Sequence, residues 1–280
     1  MSMTQVRRFV FSISITSIGR LLVLRDIVMG RVAWNGRGKT SGARVSRHVI
    51  PSGKNILDAV LVKPAADTAQ ASLLICHGIG ETVQHWLPVQ QLLAASGIAS
   101  MVFDYSGYGA SSGLFDSDQS EEDAVSAFHC LQQLTAPLPV SVLGFSLGSG
   151  IAAAIIRKIP AQRLVLCAAF TSLRKAAVSV GIPKALAFAV PPVWDAEDSL
   201  RNCAVDVLVV HGEKDGLFPV RMAAELAALC GSQSKLVVVP KVAHNQPFRR
   251  PELSYWGLIA SWLLDGQGSL NSEQSPRSFP

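Results

Sequence analysis

Apolar and polar positions alternate between two regimes along most of this chain. From about Arg44 onward, short runs rich in Val, Ile and Leu are separated by longer stretches with helical spacing. The runs predict strands at Val45–Ile50, Asp58–Val62, Ala71–Cys76, Ala99–Phe103, Val140–Leu143, Arg163–Ala168, Val205–Val210 and Lys235–Val239. Several, such as Ser72–Cys76 and Val207–Val210, are continuously apolar, as expected of central strands buried on both faces. Helices are predicted over Val83–Ala95, Ser120–Leu134, Ser149–Lys158, Val220–Leu229 and Pro251–Leu264. Ser120 with Asp123 reads as a capping arrangement, and Pro219 suits the first turn of the next helix. Strands alternating with helices predict an α/β fold, a mainly parallel sheet with helices on both faces.

The ends depart from this pattern. Arg7-Arg8 precede an apolar run from Phe9 to Ile18, and Gly19-Arg20 and a second short run, Leu21–Leu24, follow. The first run is shorter than the ~20 residues of a membrane span, Arg20 and Arg25 interrupt any longer one, and no small-x-small cleavage site follows. Residues 1–43 are therefore expected to be an extension, helical or poorly ordered, or upstream sequence brought in by a misplaced start with Met29 as the true one. Membrane anchoring through this segment is the lesser expectation, and a cytoplasmic location the greater. Residues 44–265 form the main domain, and the Ser-rich stretch 266–280 reads as a disordered tail.

Composition narrows the class. Of the 280 residues 49% are hydrophobic and 16% charged, which suits one large globular domain and excludes a disordered chain or a coiled coil. The net charge of +5 is spread along the chain, with no reading helix or stacking platform beside it, so no nucleic-acid partner is expected. Five cysteines (Cys76, Cys130, Cys167, Cys203 and Cys230) show neither C-x-x-C spacing nor an even count, and they read as small apolar residues in a reducing compartment. No metal-ligand spacing is present, and no cofactor or metal is expected.

The strongest chemical signal is Gly144-Phe145-Ser146-Leu147-Gly148, a G-x-S-x-G between a predicted strand and a predicted helix. A serine on so sharp a turn needs glycines beside it, and its hydroxyl is then held above the sheet. The helix N-terminus behind it favours developing negative charge. Ser146 is thus the candidate nucleophile.

A serine hydroxyl is a weak nucleophile and needs a base, itself oriented by an acid. In chain order the base should come last, which selects His244, in the loop after the last strand, over His211, which ends a strand and reads as a structural turn residue. The loop His211–Pro219 offers Glu213 and Asp215. Asp215 lies further beyond the strand end and is the candidate acid, whereas Glu213 is expected to meet solvent or Lys214. Asp206 reads as an edge charge, and no strand feeds Asp195 or Asp198. An oxyanion would need two backbone donors: Leu147 N–H, and Ile79 N–H from the glycine-rich His77–Glu81 that leaves an earlier strand. His77 precedes Ser146 and is expected to shape that loop, and Cys76 to be a core residue.

His77-Gly-Ile-Gly-Glu81, the glycine loop Phe103–Gly113, Gly144–Gly148, His211-Gly-Glu-Lys-Asp215 and Ala243-His244 stand in the order of a known superfamily. Over about Arg44 to Leu264 the chain resembles the α/β-hydrolases, within them the serine aminopeptidase and monoacylglycerol lipase group and the BEM46-type and ABHD17-type hydrolases. The resemblance implies the α/β-hydrolase fold with an eight-stranded sheet, acyl-enzyme hydrolysis, and a structural role for Asp104 and its glycine loop. Only about residues 170–203 stand where many relatives carry a large lid, so a small apolar cap is expected. The expected activity is cleavage of a carboxylic ester, or a related thioester or amide, in a small acyl substrate, with modest acyl esters favoured over peptides. The alternatives are a peptidase-type acyl hydrolase and a non-catalytic binding protein on the same scaffold. Haloalkane or epoxide chemistry would want Asp at position 146. Oligomeric state is not legible.

Overall fold

The computed structural model describes residues 43–265 apart from Asp67 and Asn202. The extension before Ala43 and the tail after Asp265 lie outside the described residues. Eight strands form one sheet: β1 Ala43–Ser52, β2 Asn55–Pro64, β3 Ala71–Cys76, β4 Ile98–Phe103, β5 Val140–Phe145, β6 Arg163–Cys167, β7 Asp206–Gly212 and β8 Ser234–Val239. Their order is β1-β2-β4-β3-β5-β6-β7-β8. The β1–β2 and β2–β4 pairs are antiparallel and the remaining pairs parallel.

Every residue of β3, β4, β5 and β6 is buried, which accounts for their unbroken apolar runs. Removing each such Leu, Ile or Val from water contributes roughly 1.5–3 kcal/mol before the entropy of ordering is subtracted. The outer strand β8 is half-exposed and carries Lys235, a charge that blunts an edge.

Helices close both faces. On one, α1 (Val83–Ala95) and α8 (Leu253–Leu264) pack Trp86, Tyr255, Trp256 and Ile259 against the sheet. On the other lie α2 (Ser117–Thr135), α3 (Leu147–Ile155) and α6 (Val220–Cys230). The short α4 (Leu173–Ser179), a 3₁₀ turn (Lys184–Ala189) and α5 (Ala196–Leu200) build the segment between β6 and β7, and α7 (Gln246–Arg249) follows β8. These four elements have too few residues for a periodicity to declare them.

The start of α2 differs from expectation. Its first residue is Ser117, and the Asp116 side chain accepts from the Asp118 and Gln119 N–H groups. Asp123 does not cap. It is buried and accepts from Ser52 Oγ at 2.7 Å and from the Ser106 N–H at 2.7 Å, tying α2 to both the β1–β2 turn and the glycine loop.

One feature of the topology places the chemistry. From β3 the chain first turns to β4 on one side, then crosses back to β5 on the other. Loops leaving the carboxyl ends of β3 and β5 therefore diverge and leave a crevice, the usual ligand position in open α/β sheets. His77–Glu81 follows β3 and Ser146 follows β5. Among the described residues no helix is long and apolar enough to cross a membrane.

Candidate active site

Ser146 stands between β5 and α3 with φ 52° and ψ −116°, a backbone state that costs a non-glycine residue about 1–3 kcal/mol. Local bonds hold it there: its N–H donates to Cys167 O at 3.0 Å, and its carbonyl accepts from the Ser149 N–H at 2.9 Å and Ser149 Oγ at 2.6 Å. Both flanking glycines are obligatory. A Cβ on Gly144 would lie 2.4 Å from Gly148 O, and one on Gly148 only 2.0 Å from Cys76 O.

The candidate base and acid arrive from neighbouring loops that are fastened to each other. After β7, Glu213 N–H donates to Val239 O and Lys214 N–H to Val242 O, both at 2.9 Å. Gly212 lies so close to the β8 loop that a Cβ would stand 2.3 Å from Val242 O. Glu213, 4.0 Å from Lys214 Nζ, turns its carboxylate to the Lys241 N–H at 2.9 Å and so braces the base-bearing loop.

These loops bring Ser146, His244 and Asp215 together. The His244 Nδ1–H donates to Asp215 Oδ2 at 2.7 Å, which leaves Nε2 as the acceptor for Ser146 Oγ–H at 2.9 Å. The other Asp215 oxygen accepts the Leu217 and Phe218 N–H groups, each at 2.9 Å. Burial pushes the Asp215 carboxyl up. The His244 hydrogen bond and charge, with the two N–H donors, outweigh it and hold this carboxyl below its ordinary value. The Phe218 and Phe145 rings flank the imidazole with centroids at 5.2 and 5.7 Å. Ser146 keeps 6% of its surface exposed and His244 7%, so the relay is largely dry but not sealed.

The first turn of α3 also packs on the loop after β3. Because the first turn of α3 abuts the Cys76 and His77 carbonyls, Leu147 lies beside the loop that carries Ile79. Among the described residues neither the Leu147 nor the Ile79 N–H makes a hydrogen bond. The rest of that loop is tied down: the Gly78 N–H donates to Glu81 Oε2 at 2.8 Å, the His77 Nδ1–H to Gly78 O at 2.8 Å, and Tyr105 Oη to His77 O at 3.0 Å. Asp104 accepts the Val83 N–H at 2.9 Å and sits against Gly109, where a Cβ would lie 1.7 Å from its carboxylate. It shapes the loop edge. Burial drives the His77 imidazole down to about 4 and the Cys76 thiol up to about 12, so both are neutral near pH 7.

The other acidic candidates lie elsewhere: Asp195 accepts the Asp198 N–H at the start of α5, and Asp206 opens β7. Sequence reasoning gave no role to two residues of the site. Glu81, whose carboxyl takes both the Gly78 N–H and Trp86 Nε1–H, fixes the loop that carries Ile79; an acidic residue entering an apolar helix was its only signal. Phe218 walls the imidazole and passes for a core residue in the sequence. Among the described residues no group of three His, Cys, Asp or Glu side chains is disposed to hold a metal ion.

The segment after β6 folds over this edge of the sheet. Phe170 and Trp194 lie against Gly150 of α3, where a Cβ would come within 2.7 Å and 2.8 Å of them. Val180, Ile182, Leu186 and Phe188 face outward and are exposed.

Comparison with known proteins follows the same lines. A family model described as serine aminopeptidase, S33, matches residues 67–195. The lysophosphatidylserine lipase ABHD12 of Danio rerio is 24% identical over 215 residues, covering 68% of this chain and 56% of the lipase. An uncharacterised protein of Mycobacterium tuberculosis is 28% identical over 179 residues, 63% of each chain. The chain thus spans less than two thirds of the length of these curated relatives. Among solved structures, the Pyrococcus furiosus esterase Pf2001 superposes with a TM-score of 0.67 at 17% identity over 84% of this chain and 97% of the esterase. The esterase domain of a Rhodothermus marinus protein gives 0.63 at 17% identity, over 78% and 97%.

Proposed function

We propose that this chain, which has the α/β-hydrolase fold and matches the serine aminopeptidase model over residues 67–195, is a serine hydrolase cleaving a carboxylic ester, or a related thioester or amide, through an acyl-enzyme intermediate. The observation that carries this reading is the unbroken relay Asp215–His244–Ser146, with hydrogen bonds of 2.7 and 2.9 Å. The chain's similarity to a lipase in sequence and to esterases in structure supports an ester as the bond attacked.

In the proposed reaction His244 Nε2 takes the Ser146 proton as Oγ attacks the substrate carbonyl, and the new oxyanion is met by the Leu147 N–H at the N-terminus of α3 and the Ile79 N–H of the loop after β3. Asp215 fixes the Nδ1–H tautomer and stabilises the imidazolium formed. His244 then gives the proton to the leaving alcohol, amine or thiol, and the acyl group remains on Oγ. A water deprotonated by the same nitrogen attacks this ester, the acid leaves, and Ser146 recovers its proton. The dry site, flanked by Phe145 and Phe218, strengthens each of these charge interactions.

The apolar walls and the short segment after β6 favour small acyl groups. Hydrolysis of p-nitrophenyl esters of graded chain length, beside aminoacyl amides, tests the reading. Short esters should be cleaved, with turnover lost in Ser146→Ala. Preference for the aminoacyl amides would point instead to a peptidase, and equal activity in Ser146→Ala would remove the serine from the mechanism.

A further inference from the structure

We propose that His211, at the carboxyl end of β7, is a positioning residue that holds Asp215 against His244 through its bond to the Phe218 carbonyl beside the carboxylate; this rests on the serine-hydrolase reading above. Its side chain and that of Asp215 are both fully buried. His211 Nε2 lies 3.0 Å from Phe218 O and 3.4 Å from Asp215 Oδ2. A carbonyl oxygen can only accept, so Nε2 must carry the hydrogen. The other nitrogen, Nδ1, is buried with no partner among the described residues, and a proton there would be an unsatisfied donor away from water.

The ring is thus held neutral, in one tautomer, with its only N–H donated to the Phe218 carbonyl and its Nε2 3.4 Å from the carboxylate. Burial also lowers its affinity for a proton, against the opposing pull of the Phe218 carbonyl and Asp215. The titratable groups acting on it are Asp215 in its own loop and His244 from the loop after β8. Tyr255 of α8, which also senses Asp215, is kept neutral by burial.

Two consequences follow for the relay. Phe218 O is anchored by His211, while the Phe218 N–H donates to Asp215 Oδ1 and the Phe218 ring walls His244. One histidine therefore sets the loop that sets both acid and base. In addition, the Oδ2 atom that accepts from His244 is the one facing His211. The positive end of the His211 N–H dipole, with Nε2 3.4 Å from that oxygen, draws charge away from the His244 side. Removing it should make the carboxylate a stronger partner for imidazolium and move the acid limb of the kcat/KM profile to higher pH.

The test compares His211→Gln, whose amide can offer an N–H near the Nε2 position, with His211→Leu, which cannot. Wild type and Ser146→Ala are measured alongside on one short p-nitrophenyl ester. His211→Leu should lose about 10- to 100-fold in kcat with KM little changed, and its acid limb should shift upward. His211→Gln should recover most of the rate and the original profile. Equal losses in both variants with an unmoved profile would reduce His211 to packing and overturn the proposal. Full activity in Ser146→Ala would instead sink the hydrolase reading itself. If His211→Leu does not fold, the ¹⁵N-histidine spectrum of the unaltered protein decides. An Nε2-protonated ring that does not titrate alongside His244 is expected, and an Nδ1-protonated or titrating His211 contradicts the proposal.

Discussion

The Gly148 Cα stands so close to Cys76 that an added Cβ would lie 2.0 Å from the Cys76 carbonyl oxygen. That approach locks the first turn of α3 onto the loop leaving β3, the loop that carries Ile79. The neighbour is backbone and cannot swing aside. Gly148→Ala should destabilise the fold by about 1–3 kcal/mol and, by shifting Leu147 from Ile79, lower kcat at least tenfold. A urea titration with ester kinetics checks both; a variant of normal rate would separate this contact from catalysis.

Asp215→Asn keeps the size of the side chain but can turn an N–H toward His244, which inverts the tautomer needed to accept the Ser146 proton. A loss of about a thousandfold or more in kcat is expected, with KM nearly unchanged and the protein folded. A loss under tenfold would mean that the carboxylate does not govern the base.

Glu81 offers a pH test whose sign follows from burial. Burial, opposed by the Gly78 and Trp86 donors, raises its carboxyl from 4.5 to about 7. A raised carboxyl favours the folded state while protonated, so this contribution is complete below about pH 4.5 and is lost as pH rises through about 7. Asp104, raised from 3.8 to about 7 chiefly by burial, acts in the same direction. Glu81→Gln retains an acceptor for both N–H groups and abolishes the titration. The variant should therefore gain stability over wild type across this interval, on the order of 2 kcal/mol at neutral pH, and keep activity within a few-fold. Parallel stability curves would contradict this account of Glu81.

Much of the architecture is legible from local pattern. All eight strand runs and the five longer helices coincide with observed elements within a few residues, because two-sided burial leaves an unbroken apolar signature. G-x-S-x-G was equally plain, since steric exclusion at Gly144 and Gly148 is written into the residue types themselves. Asp123 was misread because a buried carboxylate serving two distant loops looks, in one dimension, like a helix cap. Glu81 and Phe218 stayed hidden for a related reason. The Phe218 ring works by facing His244 from another loop, and Glu81, although its partners Gly78 and Trp86 are near in sequence, works by a side-chain direction that spacing does not encode.

On the proposed mechanism Ser146 Oγ is the atom that the relay makes nucleophilic. The most direct measurement is to treat the protein with a fluorophosphonate probe, digest it, and locate the adduct by mass spectrometry. One adduct is expected, on the peptide bearing Ser146, with labelling lost in Ser146→Ala and strongly slowed in His244→Ala. An unlabelled protein that is correctly folded, or an adduct that persists on another residue in Ser146→Ala, would contradict the claim.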